Sequence, residues 1–260
     1  MSRIRKAEPK DLSRIAEAQI LLTMTNITIG EGSGKMAGQI VHMEVAYRLA
    51  ERMGIDEGKA EFILGSVAPD SVYFSESYLE KKVHSHFFEN CGPWGDTQDY
   101  DQWIVNIKSF WNKYVKNEMN SKKRSYLLGM CVHNLTDYWN DLMIWRVLQK
   151  NMLKSMSYEV FKEEYYPEAQ ALNKWMFQNS PNAAEIFRLL GEAETIDFED
   201  YVTADNQNTM REHLVDNQYN IQGKIDVSGH KYFPSEMLMN FIDVAVDRIG
   251  SQLEEFECYA

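Results

Sequence analysis

His133 and Asp137 are the two residues of this sequence best suited to metal chemistry. They lie four residues apart in the segment LLGMCVHNLTDYWND. On an α-helix this spacing places both side chains on one face, one turn apart, where they can bind the same cation. Apolar residues surround the pair, and an ionised aspartate among them is costly unless a positive charge compensates it. The pair therefore indicates either a metal site or a buried histidine hydrogen-bonded within its own helix.

Three further segments carry candidate ligands. Asp70 follows Pro69 at the end of an apolar run, where an ordinary turn aspartate is the alternative. His84 and His86 lie two residues apart in KKVHSHFF, and alternation predicts an extended segment with both rings on one side. His42 lies near the start of an apolar helical pattern. Taken singly, each of these residues also has a purely structural interpretation.

The rest of the pattern predicts helices that position these residues. Apolar residues at helical spacing predict a helix from residue 36 to 53, closed by Gly54, and a second over 57–64. Glycine, proline, asparagine and aspartate clusters separate further predicted helices at about 99–117, 122–149, 156–178, 182–190, 207–220 and 234–257. No segment shows convincing strand alternation. We therefore predict a mostly α fold, a multi-helix bundle with inward-pointing side chains.

The sequence pattern changes near residue 35, where a turn-rich stretch gives way to apolar residues at helical spacing. Residues 1–35 form an appendage with a short predicted strand at 4–6, a helix capped by Asp11 and a turn-rich stretch at 30–34. This opening weakly resembles the start of an acetyltransferase, but no later glycine-rich segment that could bind pyrophosphate follows it. Residues 36–260 are predicted to form one helical domain.

Composition narrows the classes of partner. The chain has 27 Lys+Arg against 39 Asp+Glu, a net charge of −12, which disfavours binding of nucleic acid by a basic face. No apolar run is long enough for a transmembrane segment, and no secretory signal is evident. The three cysteines lack metal-site or disulfide spacing and fit a reducing compartment. We expect a cytoplasmic protein, and its 14 methionines suit either a large core or a face for homo-oligomers.

The order of the candidate ligands along the chain carries more information than any one of them. His42 is followed by small residues, Gly65-Ser-Val-Ala-Pro-Asp70 forms a turn, and His84 follows 14 residues after Asp70. The segment Leu128-Gly-Met-Cys-Val-His133-Asn-Leu-Thr-Asp137 completes the series. In this order and at these intervals, residues 36–145 resemble the zinc-dependent phospholipases C, which are related to the fungal single-strand nucleases.

The resemblance implies an all-α metallohydrolase fold and a Zn²⁺ site. Asp70, His84, His133 and Asp137 would bind one ion, with Asp137 bridging toward a second ion that His42 also touches. Other divalent transition metals suit the same donors. Asp70 would also act catalytically, accepting a proton from the attacking water. His86 stays open as the alternative to His84.

The resemblance also implies an activity, hydrolysis of a phosphodiester or phosphomonoester on a small phosphorylated substrate. The sequence departs from the family where further metal ligands are expected, with Met143, Asn217 and Pro234 at those positions. Two other interpretations therefore stay open, a non-catalytic metal-binding protein of the same fold and a helical interaction module without metal.

Overall fold

The computed structural model describes residues 37–258, so the predicted appendage, with its strand at 4–6 and its helix from Asp11, lies outside the described residues. The described part is helical, as predicted, and its only β pairing is an isolated bridge between Phe198 and Val202. The α-helices are α1 (Gln39–Met53), α2 (Lys59–Gly65), α3 (Tyr78–Ser85), α4 (Tyr100–Phe110), α5 (Ser121–Asn140), α6 (Arg146–Met152), α7 (Tyr158–Asn179), α8 (Ala183–Glu192), α9 (Ala204–Glu212) and α10 (Ser235–Cys258).

Several helix ends follow from local sequence chemistry. Gly54 ends α1 in the left-handed conformation, with φ of 66°, which glycine adopts at little cost. The Asn120 side chain accepts a hydrogen bond from the Lys123 amide and caps the start of α5. A 3₁₀-helix, Ala68–Phe74, follows α2 and contains Pro69 in its first turn. These signals explain why the predicted boundaries lie close to the observed ones.

Three α-helices run directly into a π-helical turn. These turns span Trp111–Val115 after α4, Asp141–Trp145 between α5 and α6, and His213–Gln218 after α9. π-helical turns occur mostly as single turns and often lie near functional sites. The predicted helix at 122–149 is therefore α5, a π turn and α6 in continuous succession.

Helix α5 is the centre of the bundle. Every residue from Ser125 to Asn140 is buried, and α1, α2, α4 and α10 all pack against this helix. Because it is enclosed on all sides, polar residues on α5 must find partners within the protein. No helix in the described range is long and apolar enough to cross a membrane.

Two glycines let α2 approach α5 unusually closely. A Cβ at Gly65 would lie 2.1 Å from the carbonyl oxygen of Tyr126, and a Cβ at Gly129 would lie 2.4 Å from that of Phe62. Both distances are far below van der Waals contact, so no larger residue fits without moving the backbone. This contact brings the end of α2 against the turn of α5 that carries His133.

Candidate metal centre

Five buried side chains from four parts of the fold converge beside α5. His42 comes from α1, Asp70 from the 3₁₀-helix, His86 from the residue after α3, and His133 and Asp137 from α5. We call these five residues the His/Asp cluster. Two overlapping triplets, His42-Asp70-His133 and His86-His133-Asp137, each have ligand atoms within 4.8 Å of one another.

The ring nitrogens of His86 and His133 face each other without a proton between them. His133 Nδ1 lies 2.9 Å from the Ser66 carbonyl oxygen, and His86 Nδ1 lies 3.1 Å from that of Lys82. The Ser85 hydroxyl, 2.9 Å from His86 Nδ1, itself donates to the Lys82 carbonyl at 3.3 Å. A carbonyl oxygen only accepts, so we assign the ring proton to Nδ1 in both histidines. Each Nε2 then carries a lone pair, and the two Nε2 atoms are 3.2 Å apart. A histidine held through Nδ1 by a carbonyl is the usual arrangement of a metal ligand.

Asp137 and His42 form the opposite side of the cluster. His42 Nε2 is 3.3 Å from Asp137 Oδ1, and the His42 ring stacks on that of His133 with centroids 4.0 Å apart. Asp137 Oδ2 lies 3.5 Å from His133 Nε2 and 3.7 Å from His86 Nε2. Within residues 37–258, neither oxygen of Asp137 and neither ring nitrogen of His42 has a hydrogen-bond partner. Unsatisfied buried donors and acceptors of this kind fit a bound cation.

Burial sets the protonation of the two facing histidines. It lowers the pKa of His133 to about 3, and the neighbouring His42 contributes to the shift. Burial also lowers the pKa of His86, although the nearby Asp70 carboxylate acts in the opposite direction. Both rings are therefore neutral near pH 7, the form that binds a metal ion.

The two aspartates stay ionised despite their burial. Burial alone would raise the pKa of Asp70, but the neighbouring His86 ring and the nearby positive charge of Lys82 hold it well below its usual range. Burial likewise opposes ionisation of Asp137, and the adjacent His42 outweighs it, so the pKa of Asp137 is lowered. The cluster thus offers imidazole nitrogens and two carboxylates, a donor set that suits Zn²⁺.

Four of the five predicted ligands come together in this cluster, and His84 does not. The predicted extended segment is wrong, because residues 78–85 form helix α3. Positions two apart on a helix point in different directions, so His84 projects outward, where its Nδ1 lies 2.7 Å from Glu89 Oε1. His86 takes its place in the cluster. The apolar pair Phe87-Phe88 directly after His86 was the signal in the sequence for an inward-facing ring.

A cleft of about 290 Å³ opens beside Asp70. Asp70 is the member of the cluster that lines it, and Gln39 Nε2 donates a hydrogen bond of 3.3 Å to Asp70 Oδ2 from the cleft wall. The other lining residues are mainly aromatic or apolar, with one lysine: Tyr73, Phe74, Tyr78, Lys82, Met210, His213, Leu214 and Gln218. The cluster is therefore buried but reachable from one side.

Asp141 lies one turn beyond Asp137 but does not join the cluster. Its Oδ2 accepts hydrogen bonds from the Thr97 hydroxyl at 2.7 Å and the Tyr100 hydroxyl at 2.6 Å. Burial raises the pKa of Asp141 above its ordinary value. This carboxyl group is thus satisfied by the protein itself.

Comparison with protein families agrees with this geometry. Residues 41–139 match the family of zinc-dependent phospholipases C. The matched segment contains every member of the His/Asp cluster, and the resemblance found in the sequence is confirmed over this range. The all-α fold agrees with that family, and the cluster has the donors to hold the zinc ion on which the family depends. No curated protein and no solved structure shows a significant match to the chain.

Proposed function

We propose that this protein is a metal-dependent hydrolase that cleaves small phosphoesters, with a zinc ion held by the His/Asp cluster. The observation that carries the proposal is the pair of Nε2 lone pairs of His86 and His133, 3.2 Å apart, beside the unpartnered oxygens of Asp137. Among residues 37–258, no lysine or arginine forms an ion pair with either cluster aspartate, so a bound cation would supply the missing charge. The match to a zinc-dependent family supports the same metal.

The proposed ligands are His42, Asp70, His86, His133 and Asp137. This set replaces His84 of the sequence prediction by His86, because only His86 is buried with its Nε2 toward the other donors. When bound, zinc polarises a phosphoryl oxygen and lowers the pKa of a coordinated water. The carbonyl groups of Ser66 and Lys82 keep His133 and His86 in the tautomer that such binding requires.

Asp70 is the residue we propose to act on the reacting groups. It is the cluster member at the cleft, and its ionised carboxylate can accept a proton from the attacking water. Gln39 donates to Oδ2, and the Gln39 Oε1 atom in turn accepts from Gln218 Nε2 at 2.9 Å. This chain of amides fixes the orientation of the carboxylate. The cleft volume of about 290 Å³ suits a small substrate.

The test compares the two neighbouring histidines. The full chain, purified without chelators or a metal-binding tag, is assayed for zinc by elemental analysis and for hydrolysis of bis(p-nitrophenyl) phosphate and p-nitrophenyl phosphate. We expect about one or more zinc ions per chain, turnover that a chelator abolishes and Zn²⁺ restores, and loss of both in His86→Ala. The matched control, His84→Ala, should retain both.

Circular dichroism of both variants, and the conservative change His86→Gln, separate loss of the site from loss of the fold. Zinc binding without hydrolysis of either ester would overturn the proposed enzymatic activity and favour a non-catalytic metal-binding protein. Absence of zinc from the wild type would overturn the metal site as well. Equal loss of zinc in the His84 and His86 variants would contradict the proposed ligand set.

A further inference from the structure

Lys82 is a buried cation at the edge of the candidate centre. Only 7% of this residue is exposed. Its Nζ donates a hydrogen bond of 3.0 Å to the Tyr78 hydroxyl and lies 4.7 Å from the centroid of the Trp94 ring. Cation–π contact of this kind lowers the cost of burying an ammonium group but leaves its charge in place.

No carboxylate lies within ion-pair distance of Lys82 in the described part of the chain, whereas the half-exposed Lys122 pairs with both Glu61 and Glu194. Asp70 lines the same cleft, but its Oδ1 faces His86 at 3.4 Å and its Oδ2 accepts from Gln39. An ammonium group has three donors, and one is used by Tyr78. Lys82 therefore presents unused donors to the cleft, and its charge has no ion-pair partner among the described residues.

The charge balance of the proposed zinc site also leaves the positive charge of Lys82 without an ion-pair partner within residues 37–258. The two cluster aspartates carry two negative charges that one Zn²⁺ would offset. The positive charge of Lys82 then remains, in a chain whose net charge is −12. A buried charge without an ion-pair partner is costly, and an anion in the cleft would offset that cost.

We propose that Lys82 and Tyr78 form an anion subsite that binds a non-bridging oxygen of the substrate's phosphoryl group. The inference rests on the proposed function and names the group that its cleft recognises, a phosphoryl oxyanion. The Lys82 carbonyl also accepts the Nδ1 proton of His86. One residue thus holds a cluster ligand through its backbone and the anion through its side chain, which fixes the distance between the two.

The experiment measures binding of inorganic phosphate to the zinc-containing full chain by isothermal titration calorimetry. Met is close to Lys in length, so Lys82→Met removes the charge with little change of shape. We expect its dissociation constant for phosphate to rise roughly tenfold or more, as for loss of a charge-assisted hydrogen bond. Lys81→Met, at the neighbouring position on α3, is the matched control and should bind phosphate like the wild type. Lys82→Arg should restore most of the affinity.

A second titration with dimethyl phosphate distinguishes the source of the oxyanion. A tenfold difference between wild type and Lys82→Met for the diester as well as for free phosphate would assign the subsite to esters. A difference for free phosphate alone would instead assign the subsite to a phosphomonoester or to free phosphate and overturn a role in binding diesters. Unchanged phosphate affinity in Lys82→Met, or equal loss in Lys81→Met, would overturn the subsite.

Zinc content keeps the two proposals separate. Wild-type protein without zinc or turnover would contradict the proposed function whatever Lys82 does. Zinc-containing, active wild type together with a zinc-containing Lys82→Met that binds phosphate normally would contradict the subsite alone.

Discussion

Helix α1 carries two buried polar groups of opposite character, only two residues apart. Glu44 is fully buried, and its carboxylate accepts hydrogen bonds from Arg48 at 2.7 Å, Ser180 at 2.7 Å and Asn182 at 2.9 Å. His42, on another face of the same helix, belongs to the His/Asp cluster, where the buried oxygens of Asp137 have no hydrogen-bond partner among the described residues. We call the first group the Glu44 network.

Comparison of the Glu44 network with the His/Asp cluster shows how a buried polar group that stabilises the fold differs from one that forms a site. The charge of Glu44 is satisfied by donors within the chain, and no ligand is required. Through these hydrogen bonds the Glu44 network connects α1 to the start of α8. The His/Asp cluster is equally buried, but among the described residues the Asp137 carboxylate has no hydrogen-bond donor and no lysine or arginine paired with it. Burial and polarity alone do not mark a site, whereas unsatisfied polar atoms that share one point do.

The largest effect expected is on zinc binding in Asp137→Asn. Loss of a charged ligand should weaken zinc binding by more than ~100-fold, the upper range for changes to groups that merely support a ligand. Asp141→Asn, one turn along, should keep zinc because Thr97 and Tyr100 already satisfy that carboxyl group. Competition with a chromophoric chelator measures both affinities. Equal zinc affinity in the two variants would contradict the proposal that Asp137 binds zinc and Asp141 does not.

The stability of the same variant should depend on the metal. In zinc, Asp137→Asn should unfold more easily than the wild type, because it lacks the stabilisation that binding supplies. After zinc is removed, the difference between the two proteins should shrink to the contribution of the ionised carboxylate itself, whose pKa is lowered, despite burial, by the adjacent His42. Urea titrations of both forms measure the two differences.

Glu44→Ala should lower the stability of the fold without changing zinc binding. It leaves Arg48, Ser180 and Asn182 without their shared acceptor, so we expect the free energy of unfolding to fall by about 3 kcal/mol. Its zinc content should equal that of the wild type. Denaturant titration gives the free energy of unfolding, and elemental analysis of the same preparation gives the zinc content. A loss of zinc in this variant would show that the Glu44 network and the His/Asp cluster depend on each other.

Gly129→Ala should disturb the cluster from a distance. Its Cβ would meet the Phe62 carbonyl oxygen at 2.4 Å, so α2 and α5 must separate, at a cost of about 2 kcal/mol in stability. The Ser66 carbonyl would move away from His133, and zinc binding should weaken. Gly191→Ala is the matched control, since nothing lies within 4 Å of a Cβ at that position. Equal behaviour of the two variants would show that close helix packing does not set the site.

Acid should destabilise the metal-free protein through the facing histidines. Burial lowers the pKa of His133 to about 3 and also lowers that of His86, so below the ordinary value of 6.5 the unfolded chain binds more protons than the folded one. Stability is thus complete above about pH 6.5 and falls toward pH 3, with a slope of up to ~1.4 kcal/mol per pH unit for each histidine. Urea titrations at several pH values measure the slope. His84→Gln, which removes an exposed histidine, should leave it unchanged.

The helical fold and most of the cluster could be predicted from the sequence because their signals are local. Apolar spacing fixes helices such as α5, and a four-residue interval on one helix places His133 and Asp137 together. The choice between His84 and His86 depends on where α3 ends and which way each ring points. That direction is set locally by the Lys82 carbonyl and at long range by packing against α5, where the Asn134 side chain donates to the Ser85 carbonyl. The Glu44 network could not be predicted either, because two of its three partners, Ser180 and Asn182, lie more than a hundred residues away.

The π turn at Asp141–Trp145 joins the helix that carries two cluster residues, α5, to the shorter helix α6. A π turn is equivalent to one residue inserted into an α-helix, because its i→i+5 hydrogen bond spans one more residue than the i→i+4 bond of the α-helix. Deleting a single residue there would therefore restore α-helical winding and leave α6 with nearly the same face toward the bundle. His133 and Asp137 lie upstream and would keep their positions. The chain can thus gain or lose one residue at this point without rebuilding its centre or turning its outer wall.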